Sequence, residues 1–166
     1  IAFNLLHLDF DNGDQFTTNN NPLTILQDMQ GRRFQARIRP GDPNIRSLMH
    51  LVTARDFLFD DGQTVDDNVV GLAYSTVYDV GTSPLEFYSV LCDSSGAAVA
   101  TSQLIYRNGR PSAAITAVLV AHEIGHNLGM EHDGDPQSAT ATSCTEPTRI
   151  MYPAVIANAT SFSTCS

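Results

Sequence analysis

The chain of 166 residues contains no lysine and no tryptophan. It has nine basic residues, all of them arginine, and 18 acidic residues, so the net charge is −9. This acidic balance argues against nucleic acid as a partner and leaves solubility, or the steering of basic substrates, as its role.

No apolar run approaches the roughly 18 residues of a membrane span; the longest candidate is Ala113 to Ala121. Without internal repeats or linkers, residues 1–166 are predicted to form one domain.

Cysteine is scarce, and the three residues Cys92, Cys144 and Cys165 make an odd count. A secreted chain would hold one disulfide and one thiol that is free or paired elsewhere, whereas a cytosolic chain would keep all three thiols reduced. The tripeptide Asn158-Ala159-Thr160 is a glycosylation acceptor at Asn158, usable only in the secretory pathway. Together these features predict secretion. A start at Ile1, without initiator Met or signal peptide, is expected of a processed form or an excised fragment.

Metal-ligand side chains concentrate between residues 122 and 132. His122 and His126 are four residues apart, so on a helix both imidazoles leave the same face. Glu123 lies beside the first imidazole, where it can reach a water on the metal without binding the metal. Gly129 permits a sharp turn after the helix, and this turn can return His132 as a third ligand. Three protein ligands leave the fourth zinc position open, which is the catalytic arrangement.

Two alternatives to a catalytic metal site make specific demands on this stretch. Unrelated histidines on an ordinary helix would require five residue types to match the spacing by chance. A structural zinc site would require a fourth protein ligand, and nothing near His132 clearly offers one.

The remaining pattern predicts a mixed α/β (α+β) fold. A long helix from about Ala113 to Leu128, capped by Ser112, is apolar nearly all round and is expected to be central and buried. A shorter helix, or an irregular connection, is predicted from Pro22 to Gln30, ending at Gly31. Residues 44–54 fit a helix, or a helix that runs into a strand. Strands are predicted in four further segments: Ile1–Phe10, Val69–Tyr74, Phe87–Cys92 and Ala97–Tyr106.

Two charged clusters receive no function. The arginines between residues 32 and 39 are expected to form a solvated face. The acidic loop of Asp60-Asp61-Gly62 and Asp66-Asp67-Asn68 raises a calcium hypothesis, but it lacks the spacing and the closing Glu of an EF-hand. A calcium site therefore has no further support in the sequence.

The stretch His122-Glu123-x-x-His126-x-x-Gly129-x-x-His132 resembles the long zinc signature of the metzincin metalloproteases, and Met151 is placed to be their Met-turn. Asp133 directly after the third histidine resembles the adamalysin (reprolysin) branch, which includes snake-venom and ADAM-type metalloproteases. Further similarity to that branch lies in Gly71-Leu72-Ala73-Tyr74, in Leu51-Val52-Thr53-Ala54, in Ile150-Met151, and in residues 162–166.

The resemblance implies a metzincin catalytic domain with a mixed twisted sheet, a long zinc-binding helix, a Met-turn and a smaller C-terminal subdomain. Its upper part would cover about residues 1–132 and its lower part about 133–166. The implied activity is that of a secreted zinc-dependent endopeptidase acting on extended protein or peptide substrates, with Glu123 as general base. The alternative is a catalytically silent binding module or toxin domain on the same fold, which the presence of Glu123 disfavours.

The resemblance also assigns supporting residues. An extended substrate would pair with an edge strand at Ala97, Ala98 and Val99, beside a pocket walled by the helix and by residues 153–156, notably Pro153 and Val155. Met151 would form an apolar floor under the metal. Asp133 would be structural, tying down the turn after His132.

Some features depart from the family pattern. Cys92 would pair with Cys165, which leaves Cys144 without an assigned partner. The calcium site common in the branch does not carry over. A first strand and helix are implied to be missing or supplied by a second chain, residues 76–91 look like an insertion, and the oligomeric state stays open.

Overall fold

The computed structural model describes residues 19–37, 48–78, 86–91, 97–105, 109–136, 138 and 141–165. The strand predicted at Ile1–Phe10 lies outside these residues, as does Cys92. Within the described part, no helix is both long enough and apolar enough to cross a membrane.

Two helices and seven strands make up the regular structure of the described residues. Helix α1 spans Pro22–Arg37 and helix α2 spans Ala113–Asn127, with a short 3₁₀ turn at Ala141–Ser143. The strands, in chain order, are β1 Met49–Thr53, β2 Phe59–Asp60, β3 Val65–Asp66, β4 Gly71–Ala73, β5 Thr76–Tyr78, β6 Glu86–Tyr88 and β7 Val99–Gln103.

The main sheet has the order β1-β7-β4 and is mixed, because β7 runs parallel to β1 and antiparallel to β4. The other strands form two small antiparallel pairs, β2 with β3 and β5 with β6. The second pair falls within residues 76–91, the segment predicted as an insertion. Helix and mixed sheet together confirm the predicted α+β class.

The sheet lies between the two helices. On one face, Ile25, Leu26 and Met29 of α1 are fully buried and form a core cluster with Phe57 and Val99. The opposite face carries α2, which packs on β4 and β7. Val99 of β7 lies in the cluster with α1. Because successive side chains of a strand point to opposite faces, Ala100 and Ser102 of β7 face α2. The helix that carries the two histidines is therefore supported by the centre of the sheet.

Helix α1 begins as predicted but ends later. Asn21 caps it, since its side-chain oxygen accepts a hydrogen bond from the Leu23 amide at 3.0 Å, and Pro22 occupies the first helical position. The predicted end at Gly31 is wrong, because the helix continues to Arg37. The buried face of α1 outweighs the roughly 1 kcal/mol that a glycine costs inside a helix. Arg33, expected in a solvated face, is instead 1% exposed.

Helix α2 matches its predicted bounds, and Ser112 caps it by accepting a hydrogen bond from the Ile115 amide at 3.3 Å. The expectation of burial on most sides holds only for its second half. Residues 113, 114 and 117 are exposed, whereas Val118, Leu119 and four of the eight helix residues that follow are buried. The apolar composition of the first half comes largely from alanine, a residue that an exposed helix also favours.

The predicted pairing of Cys92 with Cys165 is wrong, because Cys165 forms a disulfide with Cys144, with a Cα–Cα distance of 6.2 Å. A sulfur atom takes part in one disulfide only, and the loop after His132 brings Cys144 to the C-terminal segment. The bond closes a segment with a sequence separation of 21 residues that contains Met151.

Replacement of Cys144 and Cys165 by Ser is expected to lower the free energy of unfolding by about 3 kcal/mol, since the bond restricts a loop of about 20 residues in the unfolded chain. Chemical denaturation of the double variant measures this loss. Cys92→Ser is the control for the loss of a thiol outside this bond. A non-reducing digest that links the Cys92 and Cys165 peptides would contradict the observed pairing.

His50 of β1 gives the fold a defined pH response. Its Nε2 lies 2.9 Å from Ser102 Oγ, and burial lowers its pKa to about 4. The folded state favours the neutral imidazole. The contribution of His50 to the free energy of unfolding is therefore complete above the unfolded pKa of about 6.5, and it is lost as the pH falls toward 4.

When the pH is lowered from 7 to 4.5, the free energy of unfolding of His50→Gln is expected to decrease less than that of the wild type. The difference should reach about 3 kcal/mol at most, from 1.4 kcal/mol per pKa unit. Urea denaturation of both proteins at the two pH values measures it, and the contribution of the other titratable groups cancels in the comparison. Equal losses in the two proteins would contradict this role of His50.

Candidate metal centre

Helix α2 and the turn that follows it bring three histidines together. His122 and His126 occupy the last turns of the helix, as predicted from their spacing. Gly129 adopts a positive φ of 92°, its amide donates to the His126 carbonyl at 2.9 Å, and the Met130 amide donates to the Gly125 carbonyl at 3.0 Å. This closure ends the helix and returns His132 to the first two rings.

The three Nε2 atoms converge on one point. They lie 3.1 Å apart between His122 and His132, and 3.2 Å apart for each of the pairs that include His126. Three nitrogens of a tetrahedral zinc site, each at about 2.0–2.1 Å from the ion, would be about 3.3–3.4 Å apart. The side chains are therefore arranged to hold an ion of this size.

Hydrogen bonds to the opposite ring nitrogens set the orientation of two of these imidazoles. His122 Nδ1 donates to the Ile150 carbonyl at 2.6 Å, and His126 Nδ1 donates to the Met130 carbonyl at 2.9 Å. In the neutral rings, the Nε2 atoms then carry lone pairs rather than protons. Converging lone pairs repel each other, and a cation at their centre relieves this repulsion.

Burial favours the neutral form of all three rings. It lowers the pKa of His122 to about 4 and that of His126 to about 3, and it also lowers the pKa of His132. Neutral imidazole is the form that binds metals. Among the residues that the structure describes, no fourth His, Cys, Asp or Glu joins this group. Catalytic zinc sites typically have three protein ligands, whereas structural sites have four.

Glu123 is 4% exposed and lies next to His122 on α2. Burial raises the pKa of its carboxyl group to about 8. The carboxyl group lies against the backbone of Gly71 in β4. Strand β4 thus passes along the side chain that the sequence identifies as the candidate general base.

Met151 is fully buried and packs against α2 between the two helical histidines. A Cβ atom on Gly125 would overlap Met151 Sδ and would lie 3.2 Å from Met151 Cε and 3.3 Å from Phe162 Cε1. Glycine at this position of the motif therefore lets the turn at residue 151 approach the helix backbone. Met151 belongs to an apolar cluster with Val118, Ile150 and Ala159, which is compatible with the predicted floor under the metal.

Asp133 ties down the turn after His132, as predicted. Its amide donates to the Met151 carbonyl at 2.9 Å, and its carboxylate accepts a hydrogen bond from Ser163 Oγ at 2.6 Å. The residue is 2% exposed. These bonds connect the third histidine to the turn at Met151 and to the C-terminal segment.

Asn127 is a supporting residue that the sequence reading did not single out. Its side-chain amide donates to the Tyr74 carbonyl at 2.7 Å and to the Val99 carbonyl at 3.1 Å, and its own carbonyl accepts from the Val90 amide at 2.9 Å. It fixes the end of α2 to both β4 and β7, one residue after His126. The available signal was a second polar side chain directly after His126, at the end of a helix that was expected to be buried.

The residues predicted to bind substrate are arranged differently from expectation. Ala97 precedes β7 and is half-buried, while Ala98 and Val99 are fully buried. Strand β7 is the central strand, with both hydrogen-bonding edges occupied by β1 and β4, so the prediction of an edge strand here is wrong. The sequence could not reveal this, since the order of strands depends on pairing partners about 30 and 50 residues away.

The other predicted positions are in the C-terminal part. Pro153 is exposed, whereas Val155 is half-buried and packs against the cluster of Val118 and Met151. Their role as a pocket wall stays a prediction. Asn158 is exposed, as a glycosylation acceptor must be.

Comparison with known proteins agrees with this geometry. The family model of the reprolysin type described as metallo-peptidase family M12 matches residues 10–163. The chain is similar to the snake venom metalloproteinase acutolysin-C of Deinagkistrodon acutus, with 33% identity over 103 residues, and to snake venom metalloproteinase H5 of the same species, with 32% identity over 86 residues. These matches cover 61% and 52% of this chain but only 22% and 20% of the relatives. The chain belongs to the reprolysin-type group of metallopeptidase family M12.

Proposed function

We propose that this domain is a zinc-dependent endopeptidase in which His122, His126 and His132 hold the metal and Glu123 is the general base. The observation that carries the proposal is the convergence of three neutral imidazole Nε2 atoms, 3.1–3.2 Å apart, next to a buried carboxyl group. The family membership supports the same reaction class.

Bound zinc would supply Lewis acidity, which lowers the pKa of water toward neutrality and polarises the carbonyl of the scissile peptide bond. Glu123 accepts the proton of the attacking water and later passes it to the leaving amine. Burial raises the pKa of this carboxyl group, so its ionised form is a stronger base than an exposed carboxylate. The positive charge of a bound metal would favour that ionised form. The bonds from His122 and His126 to backbone carbonyls hold the ligands in a fixed orientation.

We assign the binding of an extended substrate to β4 in place of the segment at residues 97–101. Gln103 donates to the Val70 carbonyl at 2.9 Å and Tyr74 donates to the Val99 carbonyl at 3.4 Å. In an antiparallel ladder the residues between these pairs direct their backbone groups to the other edge. Among the described strands, none pairs with that edge of β4. The amides and carbonyls of Gly71 and Ala73 can therefore pair with an extended peptide beside Glu123.

Cleavage of a peptide library by the zinc-loaded protein tests this function and its substrate preference together. The proposal predicts internal cleavage of an unfolded protein, loss of cleavage with a chelator, and recovery when zinc is restored. Zinc-replete protein that cuts nothing would contradict it.

A silent binding module on the same fold is the competing function, and Glu123 discriminates between the two. A module without activity has no need for a buried carboxyl group beside three metal-binding histidines, since burial opposes its ionised form. If zinc-replete wild type and Glu123→Ala behave alike toward every peptide in the library, the binding module becomes the better account.

Secretion is part of the proposal. The Cys144–Cys165 disulfide is expected in an oxidising compartment, Asn158 is exposed, and the two relatives are venom proteins by name. Protein or peptide substrates follow from the family, and the substrates and partners of the relatives are not transferred.

A further inference from the structure

Gly71 of β4 lies where the strand and the candidate general base meet. A Cβ atom built on Gly71 would lie 2.8 Å from Glu123 Cδ and 3.0 Å from Glu123 Cγ, and it would overlap Glu123 Oε1. Contacts this short do not occur between real side chains, so a methyl group at residue 71 and the present position of Glu123 exclude each other. Because Glu123 is 4% exposed, its carboxyl group has little free volume into which it can move.

The backbone does not explain the glycine. Three described glycines adopt a positive φ, namely Gly62, Gly129 and Gly134, and Gly71 is not one of them. Gly71 pairs with Ser102 of β7 in regular antiparallel register, a conformation that alanine adopts without strain. Glycine inside a strand weakens the strand, and it is found where another group approaches the backbone closely. Here the approaching group is the Glu123 carboxyl.

We propose that Gly71 is a positioning residue for Glu123. The missing side chain leaves the volume that the carboxyl group occupies, so β4 sets the distance of the general base from the point where the three Nε2 atoms converge. The catalytic consequence rests on the proposed endopeptidase function, whereas the steric coupling between residues 71 and 123 does not. Strand β4 then has two roles, one toward substrate through its backbone and one toward Glu123.

The catalytic consequence is tested with Gly71→Ala in the full chain. We expect kcat to fall roughly 10- to 100-fold, as for a misplacement of about 1 Å, while the zinc content stays at the wild-type value. KM should change much less than kcat, because the amides and carbonyls of β4 are kept. Gly31→Ala is the matched control, since a Cβ atom on Gly31 meets nothing within 4 Å, and it should retain the wild-type kcat.

A thermal-unfolding cycle tests the steric coupling without any activity. Gly71→Ala should lower the Tm by roughly 3–10 °C, the usual effect of overpacking. In a Glu123→Ala background the same substitution should cause almost no loss, because the overlapping atoms are gone. If Gly71→Ala alone does not fold, the double variant should still fold.

Each outcome decides the proposal. An equal Tm loss in both backgrounds, or a wild-type kcat in Gly71→Ala, overturns it. Failure of the double variant to fold also overturns it. If the wild-type protein cleaves nothing, the endopeptidase function fails, and the Tm cycle still decides whether Gly71 makes room for Glu123.

Discussion

Glu123→Gln is expected to lower kcat about 10²- to 10⁴-fold while the bound zinc stays near one ion per chain. Glutamine has nearly the shape of glutamate, but it cannot accept the proton of the attacking water, and general-base catalysis contributes about this factor. The three imidazoles that hold the metal are unchanged by the substitution. Cleavage of an internally quenched peptide at saturating concentration measures kcat, and atomic absorption measures the zinc.

Glu146→Gln is the matched control for this substitution. Glu146 is exposed, forms a salt bridge of 2.7 Å with Arg149, and is not a member of the group of three histidines. Removal of its charge should leave kcat within about twofold of the wild type, since exposed ion pairs contribute little. If Glu123→Gln and Glu146→Gln cut equally well, Glu123 is not the general base.

His132→Ala is expected to have the second large effect, on zinc affinity. The substitution leaves two ligands from α2, and the affinity should fall by more than about 100-fold, beyond the 10- to 100-fold effect of residues that only orient ligands. Bound zinc stabilises the folded state in proportion to its affinity. The wild type should therefore gain Tm on addition of zinc, and His132→Ala should gain much less.

Competition with a chromophoric chelator measures both affinities. His50→Gln serves as the control, because His50 is also a partly buried histidine but pairs with Ser102 outside the metal group. Its zinc affinity should equal that of the wild type. Unchanged zinc affinity in His132→Ala would show that the turn after Gly129 does not supply a ligand.

The metal centre could be predicted from the sequence because its geometry is local. Four residues of helix determine that His122 and His126 share a face, and one positive φ at Gly129 determines that His132 returns to them. Asp133 follows directly on this turn, so its structural role was predictable as well. All of these relations arise within 12 residues.

Features that depend on distant pairing could not be predicted in the same way. The segment at residues 97–103 has the composition of a strand, yet only its partners at residues 49–53 and 71–73 make it central. The partner of Cys165 likewise depends on where the loop after His132 folds back. Gly31 is a helix breaker by propensity, but the burial of Met29 and Arg33 keeps α1 intact around it.

The role of Gly71 could not be predicted from the sequence either, because it depends on the position of a single carboxyl group. The sequence shows a glycine in a strand, which has several possible reasons. Only the packing of α2 on β4 reveals the Glu123 carboxyl at the place of the missing Cβ. Asn127 is similar, because its bonds to Tyr74 and Val99 connect segments that lie far apart in the chain.

X-ray absorption at the zinc edge tests the central claim most directly, namely that three histidines hold the metal and leave one position open. The zinc-loaded protein should show three imidazole nitrogens at about 2.0–2.1 Å and one oxygen ligand that an added inhibitor with a metal-binding group replaces. The expected ligands are His122, His126 and His132. A closed sphere of four protein ligands, or the same spectrum in His132→Ala, would contradict the account.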